Sequence, residues 1–217
     1  MRNYLVITVA CLVVTAMSCA TLRAEPIAAS HDMKERVKYT KESVVRIKYL
    51  DRQLGTGFVI SENGLIATCL HVVTDDTSGT KTLYPSLQVY FNDGTIYDAE
   101  YVIKRPNKLA IDTDYAILKI QPKKPLRYLK LGSFKDAADG DAVYISGYPF
   151  ELLSPIFAGG MLSTKVRLSN PGSDFTYDAA YLDLTLNSGN SGGPVILIGA
   201  KREDDLVIGI QQFPLAQ

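Results

Sequence analysis

The sequence predicts an all-β protein built as two antiparallel six-stranded β-barrels, one in each half, with the second barrel lacking its last strand. Three observations predict it. Short runs of β-branched and aromatic residues recur at regular spacing along most of the chain. Two of the connections carry hairpin signals, Asn63-Gly64 and Asn92-Asp93-Gly94. The segment Pro122-Lys123-Lys124-Pro125 then interrupts the pattern and divides six strand-like runs from five.

Taken in order, residues 1–24 read as a leader rather than as part of the fold. Arg2 gives a basic start, Tyr4 to Met17 is almost wholly apolar, and no further charge appears before Arg23. Two processing routes fit: cleavage at the small residues Ala20 or Ala24, or lipidation of Cys19 in the lipobox-like Thr15-Ala16-Met17-Ser18-Cys19. Both imply export to a cell envelope, and the second implies membrane attachment. Residues 25–42 are polar and mixed in charge, as in a linker with a short helix around Met33 to Val37. His31 falls in this stretch and reads as a solvated residue.

The first barrel is expected over residues 43–121, with strands at Ser43–Tyr49, Thr56–Ile60, Leu65–Cys69, Leu87–Phe91, Tyr97–Ile103 and Tyr115–Ile120. The second is expected over 126–217, with strands at Ala142–Ser146, Phe157–Val166, Ala180–Leu186, Gly193–Ile198 and Leu206–Gln211. Only Phe213 to Gln217 then remain to close it. The expectation is an open sheet edge, as in a truncated or degenerate barrel.

Composition narrows the function classes. With 23 basic and 23 acidic residues the formal net charge is zero, so there is no electrostatic footprint for nucleic acid. Of the three cysteines, Cys11 and Cys19 lie in the leader and leave Cys69 alone, which rules out an intrachain disulfide in the folded part. Secreted animal proteins of this size are usually disulfide-stapled, so a bacterial envelope protein is expected.

Gly189-Asn190-Ser191-Gly192-Gly193-Pro194 carries the strongest chemical signal. A serine hydroxyl needs a base to take its proton, and attack creates an oxyanion that must be stabilised at once. Glycines around Ser191 let the backbone turn so that amides within Gly189, Asn190 and Ser191 converge. The chain holds only two histidines, and His71 closes a predicted strand within Ala67-Thr68-Cys69-Leu70-His71-Val72-Val73. A carboxylate should hold that imidazole. Asp112 and Asp114 both precede a strand; Asp114 abuts it directly and is the better placed, with Asp112 suited to capping the turn. The order His, Asp, Ser matches one of the known triad arrangements.

Gly189-x-Ser191-x-Gly193 also fits the nucleophile elbow of α/β-hydrolase esterases. That fold requires a histidine after the serine and a helix directly behind it; none of the histidines follows Ser191, and Pro194 opens a β-rich run.

Residues 43 to about 212 resemble the protease domain of the bacterial HtrA (Deg) family of chymotrypsin-like folds. The motifs are Gly55-Thr56-Gly57-Phe58-Val59-Ile60 with Gly64-Leu65-Ile66-Ala67-Thr68 and His71-Val72-Val73; Asp114 to Ile120; Gly147-Tyr148-Pro149-Phe150; and Asp183 with Asn187 through Pro194. The resemblance implies a catalytic triad of His71, Asp114 and Ser191 in a cleft between two barrels, working as an ATP-independent serine endopeptidase. It implies no metal and no cofactor, unfolded or misfolded protein substrates, and a homotrimer. It places Leu186 in the pocket for the residue before the cleaved bond, and Gln212 and Phe213 along the substrate backbone. Asn190 stands where zymogen-activated trypsins carry an aspartate, which implies no activating cleavage. Two departures are visible: the family usually continues into PDZ domains, and Pro214 falls in the substrate-pairing segment without an N–H to donate. They give weight to an alternative, an inactive protease-like module that binds unfolded chains.

Overall fold

A computed structural model describes residues 31–75, 82–103, 114–169, 176–184 and 188–212. It contains one helix, α1 (His31–Ser43), and the strands β1 (Val44–Tyr49), β2 (Arg52–Val59), β3 (Leu65–Cys69), β4 (Thr74–Asp75), β5 (Thr82–Leu83), β6 (Leu87–Tyr90), β7 (Ile96–Tyr101), β8 (Tyr115–Lys119), β9 (Ala142–Gly147), β10 (Ile156–Ser169), β11 (Thr176–Asp183), β12 (Pro194–Leu197) and β13 (Leu206–Ile210). None of the described helices is long and apolar enough to cross a membrane.

The first half closes as predicted. Strands β1-β2-β3-β8-β7-β6 form a six-stranded barrel. Its hairpins sit at the two predicted turns: Ile60 N–H bonds the Leu65 carbonyl across Asn63-Gly64, and Phe91 N–H bonds the Thr95 carbonyl across Asn92-Asp93-Gly94. Alternation along the strands sends Val45, Ile47, Val59, Ile66, Val89, Leu118 and Ile120 into the barrel interior, all essentially inaccessible to solvent. The small pair β4-β5 stands apart from the barrel sheet.

Among the described residues the second half is a five-stranded antiparallel sheet, β11-β10-β9-β12-β13, the open half-barrel expected from five strand-like runs. Residues 213–217 lie outside the described part of the chain. The edge is nevertheless covered in part. Val207 of β13 donates to the Lys130 carbonyl and accepts from the Gly132 amide, so the segment before β9 occupies the side that β12 leaves free. This reduces the exposed edge that the sequence suggested.

Residues 31–43 also differ from expectation, being a 13-residue helix rather than a linker with a short helical piece. The helix is held against the second half. Arg36, 1% exposed, bonds Asp205 at 3.0 Å and the Gly199 carbonyl at 2.9 Å, and it pairs with Asp32 one turn earlier. Thr40 shares a hydrogen bond with the Tyr144 hydroxyl, and Tyr39 lies between the guanidinium groups of Arg127 and Arg202. An apolar cluster of Val44, Phe58, Ala67, Tyr144, Tyr148 and Ile196 joins the two halves.

Burial pushes the Asp205 carboxyl above its ordinary value, outweighing the backbone bond from Gly199 and the attraction of Arg36. The pair is therefore a costly arrangement that is worse still when half removed. Arg36→Ala should lower unfolding free energy by about 3 kcal/mol. In a urea-denaturation double-mutant cycle with Asp205→Ala, the combined loss should be well below the sum.

Candidate active site

Strands β3 and β8 are antiparallel neighbours, and their register ends with Cys69 opposite Tyr115. One step further out, Leu70 N–H bonds the Asp114 carbonyl at 3.0 Å. That extra rung brings the side chain after Leu70 beside the Asp114 carboxylate. His71 Nδ1 lies 2.5 Å from Asp114 Oδ2, and the His71 backbone N–H donates to Asp114 Oδ1 at 2.8 Å. Asp114 adopts φ +56°, a left-handed conformation that aspartate tolerates better than most residues. Its carboxylate is thus fixed by both oxygens to one residue. Asp112, the rival candidate, lies outside the described residues.

Ser191 arrives from the other half, on a tight turn in which Gly193 N–H bonds the Asn190 carbonyl at 2.9 Å. The third residue of the turn, Gly192, has φ +87°, which this kind of turn demands and which strains any other residue. Space demands glycine as well, because a Cβ there would collide with the Thr56 carbonyl oxygen and the Thr68 hydroxyl. The turn is seated directly on β2 and on the end of β3 that leads to His71. Thr56 N–H bonds the Ser191 carbonyl at 2.9 Å, Gly192 N–H bonds the Gln211 carbonyl, and Cys69 Sγ donates to that same carbonyl at 3.2 Å. Ser191 is 8% exposed, and His71 borders an open pocket of about 310 Å³ lined also by Arg52, Leu54 and Tyr84. A larger pocket, about 440 Å³, lies over α1 and Asn92 away from this chemistry.

The residues around Gly189 form the floor of the site. Gly189 has φ +97°, and a Cβ on it would meet the Tyr148 carbonyl oxygen at 2.6 Å. Its carbonyl accepts from the Thr56 hydroxyl at 2.7 Å, and that hydroxyl accepts in turn from Tyr148 N–H at 3.0 Å. The Thr56 hydroxyl thus fixes the peptide plane between Gly189 and Asn190. Asn190 contributes differently. Its side chain is 2% exposed, packs against Gly147, and neither amide atom has a hydrogen-bond partner.

Thr56 and Gln211 were not singled out by sequence reasoning. Gln211 donates to the Ser146 and Pro194 carbonyls and carries the carbonyl that ties Cys69 to Gly192. The only sequence signal for Thr56 was its place between two glycines; Gln211 had none beyond ending a strand. Of the expected substrate-contacting residues, Leu186 and Phe213 lie outside the described part, and Gln212 is exposed just beyond β13. Burial, with the Asp114 carboxylate adding to it, pushes the Cys69 thiol well above its ordinary value. It is a buried thiol, not a second nucleophile.

A closed barrel that carries the His71–Asp114 pair and a five-stranded sheet that carries the Ser191 turn are the architecture of a trypsin-like peptidase domain. The chain belongs to that family, which matches residues 55–210 under the description "Trypsin-like peptidase domain". Its homologues are serine proteases of HtrA/DegP type. It is 34% identical over 158 residues to a "Probable periplasmic serine endoprotease DegP-like" of Rickettsia prowazekii, covering 72% of this chain and 27% of that one. It is 37% identical over 160 residues to "Serine protease HTRA1" of Xenopus tropicalis, covering 72% of this chain and 30% of that one. The crystal structure of Rv3671c from M. tuberculosis H37Rv, a serine-to-alanine mutant in an inactive form, matches with a TM-score of 0.62 and 27% identity, over 84% of this chain and 80% of that one. The chain thus spans under a third of the length of these curated relatives.

Thr56→Val should leave both the Gly189 carbonyl and the Tyr148 amide without a partner. Urea denaturation should show a loss of about 3 kcal/mol, and Thr56→Ser should recover most of it.

Proposed function

We propose that this chain is a serine endopeptidase that cuts unfolded or misfolded proteins of a bacterial cell envelope through His71, Asp114 and Ser191. The observation that carries the reading is the contact of His71 Nδ1 with Asp114 Oδ2 at 2.5 Å beside a turn that presents Ser191. With Asp114 holding Nδ1–H, the lone pair of His71 lies on Nε2, the tautomer a general base needs. Nε2 takes the proton from Ser191 Oγ as that oxygen adds to the scissile carbonyl. The Gly189 and Ser191 amides stabilise the oxyanion. The imidazolium, steadied by Asp114, then gives its proton to the leaving amine, and water repeats the sequence on the acyl-enzyme.

Export is supported by the leader-like residues 1–24, and lipid attachment would use Cys19. Unfolded substrates and a homotrimer rest on the family resemblance, with the exposed apolar side chains of Phe150, Leu152 and Leu153 beside the site suited to extended apolar chains.

Digestion of unfolded casein tests the reading. Ser191→Ala should abolish cleavage, a loss on the order of 10⁶ in turnover. Asp114→Asn should cost about 10⁴ through the wrong histidine tautomer, and Asp112→Asn should leave cleavage near the parent rate. Folded protein that suppresses casein aggregation and cuts nothing would replace the enzyme with a binding module.

A further inference from the structure

Cys69 lies beside the His71–Asp114 pair and is unused by the proposed peptidase chemistry. Cys69, His71 and Asp114 each bring a donor atom, and these atoms all lie within 4.8 Å of one another. The three come from two strand ends: Cys69 and His71 two residues apart at the end of β3, and Asp114 at the head of β8. We propose that this thiol–imidazole–carboxylate cluster is a binding site for a thiophilic divalent cation such as Zn²⁺, and that occupancy switches the peptidase off.

The donor chemistry selects the ion. One thiolate, one imidazole nitrogen and one carboxylate oxygen with a fourth position left for water is a set that suits Zn²⁺ or Cd²⁺ and not Mg²⁺ or Ca²⁺. Bond lengths of about 2.0–2.3 Å around a tetrahedral ion put donors roughly 3.3–3.7 Å apart. Reaching that geometry takes the opening of the His71 Nδ1–Asp114 Oδ2 contact and the release of Cys69 Sγ from the Gln211 carbonyl. Asp114 Oδ1 stays held by the His71 backbone N–H at 2.8 Å, which keeps the carboxylate oriented while Oδ2 turns to the ion. Access is through the cleft side, where the side chains of His71 and Asp114 are 25% and 20% exposed.

Inhibition follows from where the protons go. The ion displaces the Cys69 thiol proton to solvent and takes the place of the proton shared by His71 Nδ1 and Asp114 Oδ2. The neutral ring then carries its single hydrogen on Nε2. That nitrogen has no lone pair left to accept the proton of Ser191, so the base is lost while the serine and the oxyanion amides stay in place. The site also explains why a thiol this close to the triad need not act as a nucleophile.

The inhibition arm rests on the proposed peptidase activity, and the binding arm does not, so the two are measured separately on the full chain. In the first, Zn²⁺ should inhibit casein cleavage, Mg²⁺ at equal concentration should not, and chelation should restore the rate. Cys69→Ala, compared with its own metal-free rate, should raise the half-inhibitory Zn²⁺ concentration at least about tenfold. In the second, one equivalent of Cd²⁺ added to the Ser191→Ala protein should produce an ultraviolet thiolate-to-metal charge-transfer band, absent when Cys69→Ala is added. His71→Ala in the Ser191→Ala protein gives a reading independent of how Cys69→Ala folds: the Cd²⁺ dissociation constant should rise at least about tenfold. No charge-transfer band in the parent, or a Cd²⁺ affinity indifferent to His71→Ala, would overturn the site. Zinc inhibition equally strong in Cys69→Ala would overturn the switch, placing the ion on His71 and Ser191 without the thiol.

Discussion

The site depends on the seating of one turn, Asn190 to Gly193, against the side of strand β2. Thr56 makes three of the hydrogen bonds across the junction: its N–H bonds the Ser191 carbonyl, and its hydroxyl links the Gly189 carbonyl to the Tyr148 amide. Ser191 and Gly189 belong to the second half of the chain, His71 and Asp114 to the first. Their relative position is therefore an inter-half quantity, and no barrel could fix it internally. The absence of a Cβ on Gly192 is what permits this approach, because backbone and hydroxyl oxygens of β2 and β3 fill the space a side chain would need. A motif that reads as flexible glycines is, in the folded protein, a place with no spare volume.

Beneath the turn the polar bookkeeping is incomplete. Among the described residues, both amide atoms of Asn190 and the Oε1 of Gln211 are buried without partners. An unpaired amide costs less than an unpaired charge by several kcal/mol. Asparagine at position 190 keeps a buried charge out of the turn at a modest energetic cost.

Much of this was legible in the sequence, and the limits are specific. Barrel strands were readable because alternation and Asn-Gly turns act over four to eight residues, a range within which the local signal dominates. His71, Asp114 and Ser191 were readable because their chemistry restricts their neighbours. Asp114 was chosen for its place at the head of the strand, where its carboxylate meets His71; Asp112 lies outside the described residues. What the sequence hid was tertiary. Helix α1 carries a polar, charge-mixed composition typical of a linker, and nothing local marks Arg36 for burial until Asp205 and Gly199, far along the chain, are folded against it. Coverage of the β13 edge by Lys130 to Gly132 was hidden for the same reason: the covering residues have no strand pattern and contribute backbone groups alone.

That misreading of the helix changes how the two halves are understood. By sequence order α1 precedes the first barrel, but by packing it belongs to the second half, through Arg36, Tyr39 and Thr40. The chain passes from one half to the other between Ser43 and Val44, where β1 enters the barrel. Residues 31–43 therefore act as a strap across the outside of the molecule, while the Thr56 junction holds the halves together at the cleft. Two attachments on different sides restrain rotation of one half against the other far better than either alone. The triad proposed above draws on both halves and needs that restraint, since a displacement of about 1 Å between β3 and the serine turn would separate the proposed base from the proposed nucleophile. The polar composition of α1 is then a consequence of its place: it buries the polar side chains of Arg36, Thr40 and Ser43 against the fold and leaves Lys34, Glu35, Lys38 and Glu42 exposed.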